Sequence, residues 1–156
     1  MMDDEFRLAF LRIIKNSDNP YHPLVWINGS PEIGERTFIG GMSQINAKGA
    51  RVLIGADCDI AAFVAINVAD SHKRCIGLAD EIERGDIFIG NHVFIGSHSV
   101  ILGGTVIGDH SVVAAGSVVR ACNAPPFSLL SGNPLKIKPG HYRDAYSQRN
   151  GAAKGG

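Results

Sequence analysis

IGNHVF, IGSHSV, ILGGTV, IGDHSV and VAAGSV, residues 89–118, are five consecutive six-residue units, each opened by Ile or Val. Working outward, the same unit is found seven more times between Ile33 and Ala124: IGERTF, IGGMSQ, INAKGA, then IGADCD, IAAFVA, INVADS, and finally VRACNA. The fifth position is nearly always small or β-branched, as in Thr37, Ser43, Cys58, Val64, Ser99, Thr105, Ser111 and Ser117, with Asn123 in the last unit. A period of six is too long for a helix face and too regular for ordinary strands. It is the pattern of a solenoid with three flat faces per turn. The twelve units fall into four sets of three, broken only by Arg51–Leu53 and by the stretch from Ser71 to Phe88. The reading is an all-β fold, a parallel β-helix of about four coils, with aliphatics stacked eighteen residues apart in a thin core. Glycine stands second in half of the units, where a corner is tight or a neighbouring coil comes close.

A sandwich of short strands predicts alternation and turn signals every eight to twelve residues, and does not explain twelve aliphatics in register. At 156 residues a single domain is expected. It divides into an N-terminal helix and lead-in strand (1–32), the β-helix (33–124, with loop 71–88 carrying the active site) and a C-terminal extension (125–156). In Met1–Lys15, Phe6, Ala9, Phe10, Ile13 and Ile14 follow helical spacing, which predicts an amphipathic helix capping the first coil and ending over Asn16–Pro20. This stretch is neither a signal peptide nor a membrane span. Three cysteines (58, 75, 122) cannot all pair, so buried thiols in a reducing cytoplasm are expected. Pro125, Pro126, Gly132, Pro134 and Pro139 end the repeat in extended loop. His141–Arg149 then fits a short helix, and Asn150–Gly156 a frayed tail.

Lys and Arg balance Asp and Glu, fifteen against fifteen, which offers nothing for nucleic acid. The balance hides an asymmetry. From His110 to Arg143 there is no carboxylate, while Arg120, Lys136, Lys138 and Arg143 are present. A cationic end on a neutral scaffold suits a small phosphate-bearing ligand.

The break after Asp70 reads SHKRCIGLADEIERGDIF, and loops leaving a rigid coil are where chemistry is placed. Asp70 violates the uncharged fifth position and stands two residues before His72. A carboxylate beside an imidazole sets its tautomer and raises its basicity, so His72 is a candidate general base and Asp70 its orienter. The plainer reading is a surface histidine beside a turn-forming aspartate. His92, His98 and His110 all occupy the fourth, outward position, where they line a groove or an intersubunit face. Zinc is the rival reading for them, but no second short-spaced ligand pair is present, so no metal is expected.

The hexads, the loop with His72, and the run IGNHVFIGSHSVILGGTVIGDHSVVAAGSVV followed by PPFSLLSGNPLKIK resemble the hexapeptide-repeat acyltransferases. Within that group the likeness is to the sugar O- and N-acetyltransferases, over roughly residues 25–138. The resemblance implies a left-handed β-helix, a homotrimer with sites between subunits, and acetyl-CoA as co-substrate. It places the catalytic histidine on His72 and the acceptor-binding asparagine on Asn46. It places acetyl-CoA contacts on Ser97, Ala115, Arg120 and Lys136. Relatives carry a second cation directly after the position of Arg120, where this chain has Ala121.

The expected function is acetyl transfer onto a sugar or nucleotide-linked sugar in the cytoplasm, in bacterial surface-polysaccharide assembly. The alternatives are a serine-acetyltransferase-like enzyme, a γ-carbonic-anhydrase-like zinc protein and a non-catalytic trimeric scaffold. The first carries a long N-terminal helical domain, against 32 residues before Ile33 here; the second needs three converging histidines.

Overall fold

The computed structural model describes residues 3–14 and 19–152. Helix α1 (Asp4–Ile14) precedes a coil in which three short strands recur per turn. The first turn is β1 (Trp26–Asn28), β2 (Glu32–Ile33) and β3 (Phe38–Ile39); the second is β4 (Gln44–Asn46), β5 (Val52–Ile54) and β6 (Asp59–Ile60). The third opens with β7 (Ala65–Asn67) and makes an excursion through β8 (Ala69–Asp70), helix α2 (His72–Cys75) and β9 (Glu83–Arg84). It resumes as β10 (Ile87–Ile89) and β11 (Phe94–Ile95). The fourth is β12 (Val100–Leu102), β13 (Thr105–Ile107) and β14 (Val112–Val113), and the fifth β15 (Val118–Val119), β16 (Asn123–Ala124) and β17 (Leu129–Ser131). Strand β18 (Lys136–Lys138) folds back antiparallel on β17, and α3 (Arg143–Ala152) follows. Corresponding strands pair in parallel into three sheets: the first from β1 to β15, the second from β2 to β16, the third from β3 to β17.

The solenoid therefore has five turns rather than about four. The first is opened by Trp26–Asn28, which lies before any hexad. The last is completed because Val119–Asn123 is a five-residue unit, so that Ala124 opens the next one. Losing one residue moves the inward role from Asn123 to its neighbours: Asn123 is exposed, Ala124 is buried, and Leu130 closes the turn at full burial. The stacking interval follows the insertions. Val100 pairs with Val118 at eighteen residues, Gln44 with Ala65 at twenty-one, Val52 with Ile87 at thirty-five, and Val106 with Asn123 at seventeen.

The core is a triangular column of unit-opening aliphatics, among them Ile39, Ile60, Ile95, Val113 and Leu130 down the third sheet, all at most 1% exposed. Inward hydroxyls close the corners. Ser117 and Ser128 each donate across their own corner (Oγ to the Ala114 carbonyl at 2.6 Å, and to the Pro125 carbonyl at 2.6 Å). These two buried hydroxyls are thereby satisfied rather than left unpaired in the core. The fourth position of the unit is left-handed wherever the unit is regular, as at Arg36, Met42, Asp57, Phe63, His92, His98 and His110. The second-position glycine serves a different need. A Cβ at Gly40, Gly55 or Gly96 would lie 2.5 Å from the backbone of the next turn, so glycine is set by inter-coil approach rather than by φ.

The N-terminal helix differs from the expected stripe. Among its described side chains Leu11 is the buried one, while Phe6 and Ile13 are 56% and 78% exposed, and Arg7 donates to the Asn19 carbonyl at 2.9 Å. The helix leans on the chain through the Arg7–Leu11 side, about a third of a turn away from Phe6 and Ile13. The expected helix end over residues 16–18 lies outside the described residues. At the other end, helix α3 runs through Asn150 to Ala152, which were expected to fray; residues 153–156 lie outside the described set. No described helix is long and apolar enough to cross a membrane.

Replacing Ile95, sealed between Ile60 and Val113, with Ala should cost about 2–5 kcal/mol by denaturant unfolding. Gly96→Ala, though it adds only one methyl group, should also destabilise measurably by pushing the Ala115 backbone away.

Candidate active site

The excursion in the third turn leaves the coil after Val68 and re-enters at Gly85, whose amide donates to the Val68 carbonyl at 3.0 Å. Its stem is two antiparallel residue pairs, Ala69 with Arg84 and Asp70 with Glu83. The arc between them starts with α2, one turn of helix with no buried residue. Lys73 crosses the stem to Glu83 at 2.7 Å.

Asp70 and His72 meet at the mouth of this hairpin. The Asp70 Oδ1 accepts both the His72 amide at 3.1 Å and its Nδ1 at 2.6 Å. An ionised carboxylate can only accept, so Nδ1 carries the proton and Nε2 presents its lone pair outward. The hydrogen bond from the His72 ring, with its amide and the more distant Arg120, holds the Asp70 carboxyl below the usual carboxylate range. Both side chains are accessible, at 55% for His72 and 38% for Asp70. Arg120, directly after β15, reaches Asp70 Oδ2 at 3.5 Å from two turns above. These three groups, with Lys73, Glu83 and Arg84, line a cavity of about 640 Å³ floored by Leu102, Gly103 and Gly104. Small residues at its base leave room for a ligand against the coil wall.

The other predicted residues divide by corner. Asn46 shares the His72 edge of the first sheet but does not line the cavity; it stands in a ladder. Asn28 Nδ2 donates to Asn46 Oδ1 at 3.2 Å, and Asn46 Nδ2 to Asn67 Oδ1 at 2.9 Å. Asn67 Oδ1 in turn accepts the Ala69 amide at the hairpin base at 3.0 Å. Ser97 and Ala115 lie at the opposite end of the first sheet's strands, on successive turns joined by the bond from the Gly116 amide to the Ser97 carbonyl at 2.9 Å. Lys136 belongs to that end as well, because it pairs with Ser131, and the adjacent Gly132 amide donates to Ser117 Oγ. A single chain thus presents Asp70, His72 and Arg120 at one corner and Ser97, Ala115 and Lys136 at another. The carboxylate-free C-terminal segment is not a single patch. Arg120 faces Asp70, Lys136 and Lys138 lie on β18, and Arg143 covers the Phe127 ring at 5.4 Å.

The fourth-position histidines lie outside the His72 cavity. His92 stacks on His110 at 4.7 Å and His110 on Phe127 at 5.0 Å, with Tyr146 of α3 tilted against both His110 and Phe127. His98 stacks on Phe63 at 4.9 Å. They form edge columns, because every turn places the same left-handed residue at the same corner. Among the described residues no group of three His, Cys, Asp or Glu could hold a metal ion. Cys58 is buried, Cys122 half-buried and Cys75 exposed, all three free. The residues missed from sequence are Lys73, Glu83, Arg84 and Asn67. They lie in or beside the break, where no repeat rule assigns a direction to a side chain.

Residues 86–121 match the family described as bacterial transferase hexapeptide (six repeats). No curated protein matches the chain. Among solved structures, the hexapeptide-repeat-containing acetyltransferase of Vibrio cholerae, complexed with acetyl coenzyme A, is 30% identical. That match covers 88% of this chain and 77% of the other, with a TM-score of 0.66. The polySia-specific acetyltransferase NeuO is 28% identical over 74% of this chain and 61% of its own, with a TM-score of 0.61. A galactoside acetyltransferase in complex with coenzyme A is 28% identical over 90% and 84%, with a TM-score of 0.58.

The depressed Asp70 value makes its interaction with His72 present at neutral pH and lost as pH falls through the folded carboxyl's own range. An NMR titration should find the Asp70 carboxyl below ordinary carboxylates, and His72→Ala should raise it toward them.

Proposed function

From the premise that this chain belongs to the hexapeptide-repeat acetyltransferases, we propose that it moves acetyl from acetyl-CoA to a sugar or nucleotide-linked sugar, with His72 as general base. The observation that carries the reading is the 2.6 Å contact between Asp70 and His72 Nδ1 at the rim of an open cavity. In the reaction, Nε2 of His72 takes the proton of the acceptor hydroxyl or amine as that atom attacks the acetyl carbonyl. Asp70 keeps the ring in the tautomer that can do so and stabilises the imidazolium. The tetrahedral intermediate collapses by breaking the carbon–sulfur bond, and the coenzyme A thiolate recovers the proton from His72. Catalysis is otherwise positioning, which a rigid coil wall supplies well.

Lys136, Ser97 and Ala115 are assigned to acetyl-CoA, Lys136 to its phosphates and the small residues to close passage of the pantetheine arm. Arg120 adds positive charge beside the thioester end through the cavity it shares with His72. Asn46 is assigned to the acceptor, reached through the asparagine ladder below the hairpin. The corner holding Ser97 and Lys136 and the corner holding His72 are separated by the width of a sheet. A homotrimer brings the first corner of one copy against the second corner of its neighbour, and each site is then shared. A role in surface-polysaccharide assembly agrees with the likeness to a polySia-specific enzyme. A cytoplasmic location agrees with three unpaired thiols.

His72→Ala should lower kcat by about 10²–10⁴-fold, the range for a lost general base, with acetyl-CoA binding by calorimetry nearly unchanged. Wild-type turnover in that variant sinks the assignment. Light scattering should give a mass near three times 16.6 kDa, and a fully active monomer would remove the shared site.

A further inference from the structure

The repeat is interrupted twice, by three extra residues in the second turn and by the excursion in the third. Both interruptions fall on the same corner, and they are bonded to each other. The lengthened unit Ile45–Leu53 pushes Lys48 and Gly49 outward, and the excursion comes down on them. Arg84 Nε donates to the Lys48 carbonyl at 3.1 Å, and its Nη1 to the Ile82 carbonyl at 3.4 Å. Gly49 has φ +84°, and a Cβ there would stand 2.7 Å from Arg84 Nε. The guanidinium therefore lies against a glycine whose φ L side chains rarely adopt, in space that a Cβ would take from it.

Two residues on, Arg51 clamps the returning strand. Its amide donates to Asp86 Oδ1 at 2.9 Å, and its Nε and Nη2 to Asp86 Oδ2 at 2.9 and 2.7 Å. The same Arg51 groups hold the Asp86 carboxyl below the usual range. The Asp86 carbonyl accepts the Gly104 amide from the fourth turn, so the clamp is tied into the sheet.

We propose that the insertion in the second turn is a buttress that positions the His72 hairpin, with Arg84 as its positioning residue. The proposal rests on reading His72 as the base. A stem of two residue pairs is too short to hold an orientation unaided. Helix α2 buries nothing. Arg84 pairs with Ala69, the residue before Asp70, so a stem held by Arg84 is a stem that holds the carboxylate on which the imidazole is aligned. A displacement near 1 Å at a reacting group can cost about 10²-fold in rate, so a contact of this kind matters although it touches no reacting atom.

The test uses the full chain with Arg84→Ala and Arg84→Lys, alone and in the His72→Ala background. Turnover is followed as coenzyme A thiol released from acetyl-CoA with a panel of hexose and aminohexose acceptors. Arg84→Ala should lower kcat about 10–100-fold with KM for acetyl-CoA unchanged, and Arg84→Lys, which can still reach the Lys48 carbonyl, should recover part of it. With His72 already replaced, Arg84→Ala should have no further effect. Two measurements need no acceptor. Amides of residues 70–84 should exchange faster with solvent in Arg84→Ala, and the His72 Nδ1 proton resonance bonded to Asp70 should broaden or shift. The proposal is overturned if Arg84→Ala leaves exchange and that resonance as in the unaltered protein, or if it slows the His72→Ala variant as much as the parent. If His72→Ala itself keeps full turnover, the base assignment falls instead, while exchange and the Nδ1 resonance still decide the buttress.

Discussion

Parallel pairing between successive turns persists only while every corner bends alike and every turn approaches the next at strand spacing. In this chain one left-handed residue per regular unit makes the bend, and a second-position glycine or other small residue lets the backbones close up. The aliphatic column, the buried serines and the edge stacks all follow from that geometry. Once the corners are equivalent, every opening aliphatic meets its counterpart and every fourth residue meets the fourth residue of the next turn. The stacks His92–His110–Phe127 and Phe63–His98 are thus products of the corner geometry as much as of ring attraction.

Such a scaffold has flat walls, and the His72 corner departs from them by breaking the repeat. The cavity beside His72 exists because the third turn departs after Val68 and returns at Gly85, placing charged side chains over the small residues Gly103 and Gly104. Departure from the ladder loses the bonds that keep strands aligned, and the hairpin replaces them with few of its own. Contacts from the lengthened second turn, through Lys48, Gly49 and Arg51, offset that loss on the same corner.

The distribution of charge follows the same logic. A carboxylate-free C-terminal segment is contiguous in sequence, yet a coil with three faces deals its residues to different edges. Arg120 joins Asp70, Arg143 covers Phe127, and Lys136 stands on the strand that closes the third sheet. On the proposed reading, the edges with Arg120 and Lys136 meet again only between copies, which would make assembly part of the catalytic arrangement rather than an addition to it.

The repeat by itself determined that the chain is a parallel β-helix, which residues of the regular units point inward, and that the rule breaks at the stretch holding Asp70 and His72. Those are properties of period, and period is local: an aliphatic every sixth residue faces inward whatever its neighbours are. The number of turns was not legible, because Trp26–Asn28 precedes the pattern and the five-residue unit after Val119 shifts Asn123 outward and Ala124 inward. Nor was the docked side of the first helix, where Leu11 rather than the Phe6–Ile13 stripe is buried, since that depends on what the helix leans against. The partners of the site, Arg120 from fifty residues away and Arg84 reaching back to Lys48, were decided only by the fold. Side chains in an interruption take their directions from the turns they land on, and the winding of the coil chooses those turns.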